Sequence, residues 1–148
     1  MAELSPSLSP SLSLKMLKTL WAAPCSALGL LAALPLLLFA GAQLRRIEGR
    51  LEVALFQGET PRHSVWARMP FSALTLGHVI LGCSEAELAR LRRHEQAHVR
   101  QYERWGVLFL LAYPAASLLA ALRGGHFYRD NCFEVQARLE EEWPRDSG

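Results

Sequence analysis

Hydrophobic and polar positions divide this chain into tracts of different period. From Thr19 to Gln43 there is no charged residue, and leucine and alanine dominate. About 20 such residues cross a bilayer as a helix, so residues 19–43 predict a transmembrane helix, kinked rather than broken by Pro24 and Pro35. Two strand-like runs follow, 51–56 and 64–68, joined by a turn at 58–61. Residues 71–82 read as one further strand, because Leu74, Leu76, His78 and Ile80 alternate with Thr75, Gly77 and Val79. The period then changes. Ser84 and Glu87 form an S-x-x-E capping box that starts a helix near Glu85, and neither proline nor glycine interrupts it before Gly106. A second apolar tract, 106–122, precedes a last helix that Asp130 or Asn131 can cap and that carries Glu134. Short strands followed by helices give an α+β domain.

The leading "MAELSPSLSPSLSLK" is low in complexity, so residues 1–18 are expected to be a disordered leader. Residues 44–148 are then a single domain, since about 100 residues suffice for one core and not two. Lys15 and Lys18 precede the apolar helix and Arg45 and Arg46 follow it, so flanking charge gives it no orientation. "AGA" at 40–42 resembles a signal-peptide cleavage site, but the apolar stretch is long for that role and a retained anchor is preferred. Cys25, Cys83 and Cys132 lack paired spacing and predict no disulfide framework. A net charge of +2 and the lack of a phosphate-binding glycine loop argue against nucleic acid.

Chemistry concentrates in "RLRRHEQAHVRQYERW", residues 90–105. On a helix His94, His98, Tyr102 and Trp105 share a face with Leu91, while Arg93, Arg100 and Arg104 form a separate stripe that faces either solvent or anionic headgroups. Tyr102 and Trp105 are expected in the core. Imidazoles one turn apart can each give a nitrogen to one Zn²⁺ at about 2.1 Å. Zinc lowers the pKa of a water towards about 7, and Glu95, offset from the two histidines, is placed to take that water's proton as general base. A third ligand is needed.

Here the H-E-x-x-H of residues 94–98, with N-x-x-E-x-x-A at Asn131, Glu134 and Ala137, resembles the gluzincin zinc metallopeptidases, above all membrane-associated members. It is also similar to short bacterial membrane proteins bearing the same H-E-x-x-H-V-R-Q-Y-E-R-W-G run. The resemblance covers about residues 74–137 and implies a small zincin-like domain, a zinc ion held by His94, His98 and Glu134, a peptide or protein substrate, and a place in the bacterial inner membrane. It also implies that the strand before the active helix lies along the cleft, where Gly77 would permit close approach of substrate backbone. His78 is either a metal or substrate contact or, as for most histidines in apolar strands, a packed one. Two positions depart from the pattern. Arg138 stands where relatives carry an acidic residue that orients a ligand histidine, and Cys132, in place of a common proline, is an alternative ligand through its thiolate, as are Asp130 and the Glu140–Glu142 run through their carboxylates. The acidic run is read as a solvated helix end.

The apolar tract 106–122 sets a topological condition. A single crossing would put His98 and Glu134 on opposite sides of about 30 Å of hydrocarbon. If Glu134 is a ligand, the tract must return, as a hairpin or interfacial helix broken at Pro114, or as a buried core helix. Metal and membrane are expected to supply part of the domain's stability.

Overall fold

The computed structural model describes residues 10–68 and 72–142. It has mixed α+β architecture: α1 (Pro10–Phe39), β1 (Gln43–Ile47), β2 (Arg50–Phe56), β3 (Ala73–Leu76), β4 (Val79–Ser84), α2 (Glu85–Trp105), α3 (Phe109–Leu122) and α4 (Cys132–Glu142). The strands make one sheet in the order β1-β2-β4-β3, parallel between β2 and β4 and antiparallel elsewhere, so β3 lies at an edge.

Helix α1 begins well before Thr19. Residues 10–18 of the expected leader are its first turns, and residues 1–9 lie outside the described ones. Its end also differs, because Gln43 opens β1, a strand whose "QLRRI" composition hid it from any apolar pattern. The run 64–68 is not a strand; residues 65–68 form a 3₁₀ turn. The single strand read over 71–82 is two strands. Gly77, at φ 61°, reverses the chain between them, and a Cβ there would lie 2.4 Å from the Ser26 hydroxyl of α1. Gly77 is thus packed closely against α1.

Ser84 caps α2, accepting a hydrogen bond from the Glu87 amide as the capping box requires. Leu88 and Val99 pack with Ile80 and Ala54 of the sheet. Arg92 adds a bidentate pair to Glu52 of β2, at 2.9 and 3.2 Å. Tyr102 joins Ala22, Cys25, Phe109 and Phe133 in a second cluster. Trp105, by contrast, is 40% exposed and meets Phe133 edge to face at the margin of that cluster.

Two helical stretches, Ser13–Phe39 and Glu85–Leu122, are by length and composition apolar enough to cross a membrane. The second is not straight. Gly106 leaves helical geometry at φ 57° and ψ −136°, and a Cβ there would meet the Trp21 ring at 2.5 Å. Fifteen residues of straight helix would set His98 and Tyr113 about 22 Å apart, yet their rings lie 6.1 Å from each other. The chain therefore doubles back at Gly106, and α3 runs beside α2. Pro114 does not break α3. Nor is α3 a buried core helix, since Leu111, Leu118 and Leu122 are bare on its outer side. After a loop through 123–131, α4 packs across α2, so the tract 106–122 does return to the histidines.

Candidate metal centre

Helix α2 carries the two histidines on its α4-facing side, and the fold delivers Glu134 to them. Asn131, fully buried, caps α4 by accepting from the Phe133 amide at 2.9 Å. Its amide nitrogen donates to the Tyr113 carbonyl and the Ser117 hydroxyl of α3. This fixes the start of α4, so Glu134 points inward and is 2% exposed. Ala137, one turn on, is wholly buried, and its small side chain suits the packing of α4 on α2.

His94, His98 and Glu134 converge, their candidate ligand atoms all within 4.8 Å of one another. The Nε2 atoms of His94 and His98 are 3.2 Å apart, and each lies 3.2 Å from one oxygen of Glu134. Three donors bonded tetrahedrally to one ion at about 2.1 Å would be separated by about 3.4 Å. The two carboxylate contacts use different oxygens, Oε2 towards His94 and Oε1 towards His98, and with one donor atom taken from each residue the three lie within 4.8 Å, close enough to share an ion. Glu134 Oε2 is buried, and its one near polar neighbour is His94 Nε2 at 3.2 Å, so only a proton on that imidazole or an ion can serve it. By donor chemistry and by geometry, these residues could hold a metal ion. Cys132 is exposed at the first position of α4 and does not join them. Asp130 instead accepts from the His126 amide at 2.6 Å.

Each histidine has a neighbour at its other nitrogen. His98 Nδ1 donates to Gln101 Oε1 at 2.8 Å, and Gln101 in turn donates to the Phe133 carbonyl and to Gln136. In the neutral ring this puts the lone pair on Nε2, the atom that faces Glu134 and could bind an ion once it has lost its proton. His94 Nδ1 lies 3.6 Å from Glu141. That is beyond hydrogen-bond distance and Glu141 is partly exposed, so it is a loose ion-pair contact at the end of α4. Glu140 belongs to the same surface, paired with Arg100 at 2.9 Å, which takes Arg100 out of the free cationic stripe.

Burial opposes charge on Glu134, but hydrogen bonds from His94, His98 and Tyr113 outweigh it and hold the carboxyl well below the usual range. Burial likewise opposes charge on His98. The hydrogen bond and charge of Glu134 overcome that cost, so His98 titrates above its ordinary 6.5.

Glu95 occupies the α2 stripe between the histidines and the sheet, where its Oε2 accepts from Thr75 Oγ1 of edge strand β3 at 2.7 Å. Tyr113 of α3 donates to Glu134 Oε1 at 2.5 Å. A cavity of about 710 Å³ opens beside these groups, lined among others by Ala73, Leu74, Phe109, Phe127 and Tyr128. His78 is elsewhere. Its Nε2 lies 3.1 Å from Glu103 and its Nδ1 3.3 Å from the Ser26 hydroxyl, so it is a packed histidine between α1 and α2. Thr75, Gln101 and Tyr113 escaped the sequence reading, and Glu141 entered it only as part of the Glu140–Glu142 run of alternative ligands. Only Gln101, three residues after a ligand histidine on the same helix, had a spacing that could have pointed to it. Comparison of the chain with models of known families, with curated proteins and with solved structures gives no match.

Proposed function

We propose that this protein is a membrane-associated zinc metallopeptidase. The observation that carries the reading is a buried His-His-Glu cluster, its ligand atoms within 4.8 Å of one another, at the wall of a cavity that Glu95 also lines. His94, His98 and Glu134 would hold the ion, leaving a fourth position towards the cavity, as hydrolytic zinc sites do. Zinc bound there supplies Lewis acidity and lowers the pKa of a water. Glu95 takes the proton of the attacking water and returns it to the leaving amine, while Thr75 holds its carboxyl in place. Edge strand β3, with Ala73, Leu74 and Thr75 in the cavity wall, lies where an extended peptide would run.

A site that only stores or senses zinc has no need of Glu95, since that residue is not a ligand. Glu95→Gln separates the two readings: purified protein should keep one zinc per chain, while peptide hydrolysis falls at least about 100-fold. Near-parental hydrolysis by the zinc-loaded variant would refute the peptidase reading.

A further inference from the structure

We infer that this protein sits in one leaflet of the bilayer, with α1 and α3 lying along the membrane plane and neither crossing it. Both helices have the same construction, a bare apolar face backed by polar protein at mid-length. On α1 the bare residues include Leu17, Leu20, Leu31 and Leu38, while Ala22, Cys25 and Ala33 on the other side are fully buried against the domain. The polar backing falls at Ser26, the midpoint of the apolar stretch Ser13–Phe39. Ser26 accepts from the His78 amide and contacts the His78 ring, which is paired with Glu103. Were α1 a span, this ionisable pair and the β3–β4 turn would sit at the centre of the hydrocarbon, where charge is costly and open sheet edges do not occur.

Helix α3 repeats the arrangement. Leu111, Leu118 and Leu122 are bare, and on the opposite side Asn131 is bonded to Tyr113 and Ser117. That contact draws the 123–131 loop, with His126, Arg129 and Asp130, alongside the second half of the helix. Lying flat, each helix gives its leucines to the acyl chains and keeps its polar backing on the water side. The charges flanking α1 fit as well. Lys15 and Lys18 at one end and Arg46 at the other, where Arg45 is paired with Glu85, give a span no orientation, yet are natural if both ends rest on one anionic surface.

The full chain carrying Cys132→Ser provides the test, because Cys25 and Cys83 are buried and need no replacement. Single cysteines at the exposed positions Lys15, Arg46 and Arg123 are treated with a membrane-impermeant maleimide, in spheroplasts of the expression host and in inverted vesicles. All three should label in the same one of the two preparations. Labelling of Lys15→Cys and Arg46→Cys in opposite preparations would overturn the inference. Because no readout depends on hydrolysis, this result stands apart from the fate of the peptidase reading.

Discussion

Thr75→Val removes one hydroxyl and leaves a side chain of the same shape. Thr75 is 7% exposed and Glu95 5%, so the carboxyl oxygen that loses its 2.7 Å partner has little access to water in exchange. A hydrogen bond to a charged group contributes about 1.5–3 kcal/mol, and the loss here falls in that range because the acceptor stays buried. For a chain of this size each kcal/mol moves the melting temperature by roughly 2–4 °C, giving a drop of roughly 3–12 °C in the metal-free protein. Zinc stoichiometry should not change, since neither residue is a ligand. Turnover should fall between about 10- and 100-fold, as expected when a catalytic group loses its position without being removed. Thr75→Ser, which restores the hydroxyl, should recover most of both losses. Melting curves in detergent, zinc analysis and single-substrate kinetics on the three proteins measure each part. A Thr75→Val melting temperature within about 1 °C of the parent, with parental turnover, would refute the argument that β3 positions Glu95.

The partners of the histidines should rank by their geometry. Gln101→Ala, which removes a buried 2.8 Å bond, should weaken zinc binding towards the upper end of the roughly 10- to 100-fold typical of such partners, and Glu141→Ala, at 3.6 Å and partly exposed, towards the lower end; competition with a chromophoric chelator measures both, and equal losses would count against the ranking. The His98–Glu134 pair should shape the pH dependence of the metal-free protein. His98 is raised above 6.5, so its contribution is full below 6.5 and is lost as pH rises through the folded value. Glu134 is lowered from 4.5, so its contribution is full above 4.5 and is lost as pH falls. Denaturation should therefore show this pair stabilising most between about pH 4.5 and 6.5, whereas zinc affinity should rise with pH beyond that window as His98 gives up its proton.

What the sequence disclosed was set by how local each determinant is. The α2 start was legible because Ser84 and Glu87 act on each other within one turn. His94 and His98 were legible because one helical turn fixes their spacing. Glu134 needed more than periodicity, and it was singled out only through the resemblance of Asn131, Glu134 and Ala137 to the second gluzincin motif. Other features depended on distant partners. Strand β1 is paired by backbone to β2 and carries two adjacent arginines outward, so no apolar alternation marked it. The β3–β4 reversal was hidden because Gly77 fitted the alternation as well as it fits a turn. Thr75 and Tyr113 reach the centre from two different elements, and nothing near them in sequence distinguishes them from ordinary strand or helix residues.

Asn131 ties the start of α4 to α3 through two side-chain bonds and caps it through a third, and none of the three involves an ion. The candidate metal centre is therefore built by the polypeptide, unlike small zinc domains in which the apo chain is unfolded. Chelation should empty the centre without dismantling it, and the emptied protein should take metal back with no refolding step. Occupancy would then follow the free metal concentration around the protein at each moment, independent of what was available when the chain was made.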